Sequence, residues 1–118
     1  MKNLSFYQRL RFAVTGIAYA LHAERSFRTQ TVAAVGAVVA LVWLRPAPVW
    51  WALVLLTNAL VLAAELFNTA VEVLADHLHP EQHPRIKLMK DCAAGAVLTA
   101  SVGALCVAGA LFVEIVWR

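Results

Sequence analysis

A chain of 118 residues that is 62% hydrophobic and only 14% charged is one domain by size, and far poorer in charge than the roughly 25% of a soluble domain. Its mean hydropathy of +0.72 points to membrane spans, each near 20 residues long. The net charge of +3 comes from basic residues that flank apolar stretches, with no aromatic-interleaved basic patch. That excludes a nucleic-acid binder and suits contact with anionic headgroups.

Residues 3 to 27 read as an amphipathic helix. Leu4, Leu10, Val14, Ile17 and Leu21 supply the apolar positions, and Arg9, Arg11, His22, Glu24 and Arg25 the polar ones. A helix of this kind lies in the membrane interface. Gly16 is either a point of close backbone approach or a tolerated weak spot. No compact apolar core precedes a small-residue cleavage site, so a cleaved signal peptide is not expected.

Residues 29 to 44 form the first predicted span, uncharged between Arg28 and Arg45. It is slightly short, and its flanking arginines can snorkel. Arg45-Pro46-Ala47-Pro48 breaks the helix and turns the chain. Trp43, Trp50 and Trp51 flank the turn as an interfacial aromatic belt. The second span, 48 to 75, is uncharged as far as Ala64 and then runs into an acidic segment. His77 to Pro84 is a polar loop, punctuated by Pro80 and Pro84. The third span, 86 to 116, opens with Lys87 and Lys90 and is uncharged from Cys92 to Val113. Gly95, Thr99 and Gly103 recur every four residues as a small-residue ridge that lets helices approach closely. Cys92 and Cys106 are about 21 Å apart along this helix, beyond disulfide reach, and read as small apolar fillers. Trp117 and Arg118 anchor the end.

Three spans place the N-terminus and the 77–91 loop on one side of the membrane. Lys2, Arg9, Arg11, Arg25, Arg28, Arg85, Lys87 and Lys90 lie on that side, against Arg45 and Arg118 on the other. The bias makes the loop side cytoplasmic, where nucleotides and Mg²⁺ are available.

The acidic segment carries the chemistry. At about 100° per residue, Glu65, Asn68, Glu72 and Asp76 share one helix face, joined by Asn58 and Thr69. Glu65 and Glu72 are about 10.5 Å apart along the axis. Carboxylates are costly at the end of a span, so they should face the protein interior or a water-filled cavity. Glu65 is the deepest and can serve as general base on a lipid hydroxyl. Glu72, nearer water, can hold Mg²⁺. Asn68 can bond phosphate or orient a ligand. Lys90 can neutralise a phosphate or anchor the interface, and Asp91 sits near a helix start where it can also cap. Glu24, the sole acidic residue of the first helix, can complete a metal site beside a second ligand. Simple stitching of helices is an equal rival for one intramembrane Asn, and the less favoured reading for these four residues together.

Other chemistries fit less well. His77, His79 and His83 suggest zinc, but Pro80 and Pro84 break the helical spacing and no cysteine is close, so solvated or structural histidines are favoured. A Walker loop and the protein-kinase signatures are absent. A small proton-coupled transporter, with Glu65 as its proton site, would want carboxylates near mid-span and a fourth helix or an inverted repeat. A membrane scaffold would have no need of so costly an acidic set.

The run Glu65-Leu66-Phe67-Asn68-Thr69-Ala70-Val71-Glu72, with Asp76 four residues on, resembles the signature of the small prokaryotic integral-membrane diacylglycerol kinases. That family includes the undecaprenol kinases of Gram-positive bacteria. Glu24-Arg25-Ser26-Phe27-Arg28 is similar to the family's first block, and Pro80-Glu81-Gln82-His83-Pro84 and Lys90-Asp91-Cys92-Ala93-Ala94-Gly95 to its third, so the resemblance covers nearly the whole chain. It implies an all-α membrane protein with an N-terminal amphipathic surface helix and three transmembrane helices. It implies a homotrimer with active sites shared between subunits on the cytoplasmic side of the bacterial inner membrane. The implied activity is ATP- and Mg²⁺-dependent transfer of the γ-phosphoryl group to the hydroxyl of diacylglycerol, giving phosphatidic acid, with undecaprenol as the alternative acceptor. Glu65 would be the catalytic base, and Glu24 and Glu72 would hold Mg²⁺. Asn68, Glu81, His83, Lys90 and Asp91 would contact ATP, while Phe27, Arg28 and Trp43, with Glu65, would contact the lipid. Ser5 and Phe12 stand where relatives carry an arginine and a tyrosine that touch nucleotide. Gln30 replaces a glutamate, and Ala94 a serine.

Overall fold

A computed structural model describes residues 3–118 of the chain. Lys2, counted above among the basic residues of the loop side, lies outside them. The described residues form four helices and no strand: α1 (Phe6–Ala23), α2 (Arg25–Leu44), α3 (Pro48–Leu78) and α4 (Pro84–Val116).

α1 begins at a capping box. The Ser5 hydroxyl accepts from the backbone N–H of Gln8, and the Gln8 side chain accepts from the N–H of Ser5. The sequence suggests one helix from 3 to 27, but the chain breaks at Glu24, whose backbone is extended (φ −111°, ψ 111°). Arg28 reaches back across the break and donates to the carbonyls of Leu21 and His22 at 3.0 and 2.9 Å. Carbonyls left open at the end of α1 are thereby satisfied by a cation, which also complements the helix dipole. Gly16 meets nothing within 4 Å at its missing Cβ, so of its two readings the tolerated weak spot holds.

Three helices are long and apolar enough to cross a membrane: α2, α3 and α4. At 1.5 Å per residue, the 20 residues of α2 span about 30 Å, the thickness of a hydrocarbon core. α3 and α4, with 31 and 33 residues, reach about 46 and 50 Å. Both therefore overshoot a bilayer core by several turns. Arg45 ends α2 in the left-handed conformation (φ 50°), its N–H bonded to the Leu41 carbonyl, and Pro48 opens α3 at a position where a missing N–H costs nothing. His83 caps α4 by accepting from the N–H of Arg85 at 3.1 Å, with Pro84 at the first helical position. This start leaves Asp91 well inside α4. It is not near a helix start, and the capping role considered for it falls to His83.

α3 is the hub. It packs along α4 and against α2, and α1 leans on α2 and α3. The core is small: Leu41, Val54 and Leu111, supported by Ala37, Trp50, Trp51, Val107 and Ile115. Val32, Val39, Leu98, Leu105 and Phe112 remain largely exposed, as suits side chains that meet lipid. Gly95 and Gly103 have nothing within 4 Å of a built Cβ. Among the described residues, neither glycine of the ridge is a point of close helix approach.

Candidate active site

The acidic face survives intact in α3, and its burial is graded. Glu65 is only 3% exposed, Asn68 and Glu72 are half-buried, and Asp76 is exposed. Glu65 comes directly after the uncharged run, at the level where α2 begins. There the Ser26 hydroxyl donates to Glu65 Oε1 at 2.7 Å. Thr69, also buried, spends its hydroxyl on the Glu65 backbone carbonyl at 3.0 Å and so is used up inside its own helix. One turn on, Asn68 Nδ2 makes a long contact of 3.4 Å to Glu72 Oε1. Its Oδ1 is buried with no hydrogen-bond partner. A buried carbonyl oxygen left unpaired is costly, and its natural partner is a ligand or an ion. At the outer end Lys90 Nζ donates to Asp76 Oδ1 at 2.7 Å and ties α4 to α3.

The loop after α3 gathers a second group. Glu81, His83, Lys87 and Lys90 line a cup of about 520 Å³. Three of the residues predicted to contact ATP therefore share one concave surface. Asp91 instead pairs with Lys87 at 2.6 Å, an exposed i,i+4 bridge on α4. His79 Nδ1 bonds the Glu81 carbonyl at 3.0 Å, and its ring meets His83 edge-on. Among the described residues no three His, Cys, Asp or Glu side chains converge as a metal cage.

The other predicted residues are spread along α2. Glu24 is half-buried at the α1–α2 elbow and makes no side-chain cap. Phe27 is buried (3% exposed), and the Arg28 guanidinium is engaged at the end of α1. Trp43 is 87% exposed and stands about 25 Å along α2 from Ser26. Any lipid it touches is touched at the opposite end of the span. Ser26 received no role from the sequence. Its partner is 39 residues away, and no local pattern announces such a contact.

Comparison with known proteins shows which family the chain resembles. The profile of the prokaryotic diacylglycerol kinases matches residues 11–112, which takes in Glu24, the whole acidic face and the Lys90–Asp91 pair. The chain belongs to the prokaryotic diacylglycerol kinase family. Over 102 residues it is 39% identical to a diacylglycerol kinase of Synechocystis, covering 86% of this chain and 58% of that protein. Over 97 residues it is 30% identical to the undecaprenol kinase of Bacillus subtilis, covering 82% of this chain and 79% of that protein. The chain thus spans a little over half the length of the first relative. Family membership makes lipid phosphorylation the chemistry to be tested against the site, and three apolar helices fit a membrane protein of this family.

Proposed function

We propose that the chain is an ATP- and Mg²⁺-dependent kinase that phosphorylates the primary hydroxyl of diacylglycerol to give phosphatidic acid. The observation that carries the reading is the buried Glu65 carboxylate, placed where an uncharged span ends and a graded polar face begins. A carboxylate at that depth meets the hydroxyl of a lipid whose chains stay in the bilayer. Glu65 takes the hydroxyl proton as the lipid oxygen attacks the γ-phosphorus. One P–O bond forms, the bond to the β-phosphate oxygen breaks, and ADP leaves. Lys90, held by Asp76, faces the same side and offsets phosphate charge. Glu81 and His83, beside it in the cup, are proposed nucleotide contacts, and Asp91 steadies Lys87 at the edge of the cup.

Glu24 and Glu72 are the proposed Mg²⁺ ligands. Two carboxylates fit this ion, which takes one or two from a protein and completes its shell with phosphate oxygens and water. The unpaired Asn68 Oδ1 adds a hard oxygen donor beside Glu72. When bound, the ion neutralises charge building on the transferring phosphoryl group. Phosphoryl transfer needs positioning and charge compensation more than covalent chemistry, so a sparse site suffices.

The proposed setting is the bacterial inner membrane, with the loop side and the site cytoplasmic. α1 would lie in the headgroup plane. The proposed assembly is a homotrimer with shared sites. The open Gly95–Gly103 ridge and a groove of about 670 Å³ between α2 and α4, lined by small residues such as Ala34, Ala37, Ala104 and Ala108, support that packing. Undecaprenol is the second acceptor to test, because one relative bears that substrate's name.

The test is transfer of labelled γ-phosphate from ATP in detergent micelles, with diacylglycerol and undecaprenol supplied separately and Mg²⁺ present or chelated. Labelled phosphatidic acid that disappears on chelation is the expected result. Label only in undecaprenyl phosphate would move the substrate assignment. No labelled lipid from folded protein that binds ATP would remove both acceptors.

A further inference from the structure

We propose that Ser26 is a positioning residue for the catalytic base, an inference that rests on the kinase reading above. The geometry is specific. Ser26 Oγ donates to Glu65 Oε1 at 2.7 Å, and no other side chain or backbone group among the described residues bonds the Glu65 carboxylate. Oε2 has no partner, yet it is not among the fully enclosed unpaired atoms, so it retains an opening. One oxygen is pinned and the other is free.

That asymmetry is what a general base on a lipid hydroxyl needs. A carboxylate with three rotatable bonds sweeps a wide arc, and reaction requires its lone pair on the proton within about 0.5 Å of productive geometry. Pinning Oε1 fixes the plane of the carboxylate and aims Oε2. A hydrogen bond between a neutral hydroxyl and a carboxylate is short and strong, and the observed 2.7 Å is in that range. The donor is also well fixed. Ser26 is the second residue of α2, and Arg28, two residues on, is bonded across the elbow to the end of α1. Lying in the first turn of α2, Ser26 brings the positive end of that helix dipole toward the carboxylate. Other roles fit poorly. Ser26 is exposed as a residue, so it fills no core gap. It is also not the N-cap of α2, which is Glu24.

The test compares the parent with Ser26→Ala and Ser26→Thr in the micelle assay, and records kcat, both KM values and the thermal midpoint. Ser26→Ala is expected to lower kcat about tenfold or more, on the scale by which misplaced catalytic groups lose rate, with the KM values for lipid and ATP and the midpoint unchanged. Ser26→Thr keeps the hydroxyl and is expected to recover most of the rate. An unchanged kcat in Ser26→Ala overturns the assignment. So does a rate loss that tracks a lowered midpoint, or one that Ser26→Thr fails to reverse. A parent that transfers no phosphate to either lipid removes the kinase reading itself, and this inference with it. An active parent with an equally active Ser26→Ala removes this inference alone.

Discussion

The two halves of α3 belong to one helix and are held by different forces. From Pro48 to Ala64 the contacts are apolar, centred on Val54 against Leu41 and Leu111. The side-chain hydrogen bonds there either stay within α3, as Thr57 does, or are long, as with Asn58 to the Ala34 carbonyl at 3.4 Å. From Glu65 to Leu78 short bonds cross between helices: Ser26 to Glu65, and Lys90 to Asp76, both at 2.7 Å. Lipid is as apolar as leucine, so the first half gains little from hydrophobic drive and depends on shape. The second half depends on which atom stands where. Substitutions in the first half should therefore be read out in stability, and those in the second in chemistry.

The largest effect that could break this division belongs to Glu65. Glu65→Gln keeps size and burial, and is expected to lower kcat by about 10²- to 10⁴-fold, the range supplied by a general base. Its melting in detergent should stay near that of the parent. Activity within a few-fold of the parent would mean that the polar half is structural after all. Next comes Leu41→Ala, at a side chain 1% exposed. A loss of about 2–5 kcal/mol in unfolding free energy is expected, with kcat per folded molecule unchanged. Lys90→Ala should raise KM for ATP about tenfold, the scale of one charge-assisted hydrogen bond. Asp76→Asn should do much less, because the pair is 36% and 66% exposed and screened by water. An effect as large as that of Lys90→Ala would mean that the ammonium needs Asp76 to hold it in place. The smallest change is expected from Ser5→Ala, which removes a cap worth about 1 kcal/mol to α1. Circular dichroism would register it as fraying, with kcat retained.

Much of this division was legible in the residues themselves. Uncharged runs marked α2, α3 and α4, because a span must be long and apolar whatever it packs against. The period of 3.6 put Glu65, Asn68, Glu72 and Asp76 on one face, and burial then graded them. What stayed hidden was tertiary. The elbow at Glu24 has neither Gly nor Pro to announce it, and depends on Arg28 reaching back to α1. Ser26 meets Glu65 only because α2 lies against α3. The His83 cap was readable in principle, as a polar residue directly before a proline that opens a helix, and was obscured by the looser signal of three histidines.

The one-residue elbow between α1 and α2 has a mechanical consequence. On the proposed orientation, α1 floats at the headgroup level and Ser26 hangs just below it, clasping Glu65. The height of the reactive oxygen is then gauged from the membrane surface, and not from the midplane or the far leaflet. In a thicker or thinner bilayer the mismatch would be taken up at the distal turn around Arg45 and by tilt of the long helices, at a fraction of a kcal/mol per Å. On that orientation the elbow would work as a plumb line, keeping the proposed base level with a lipid hydroxyl as the membrane around it changes.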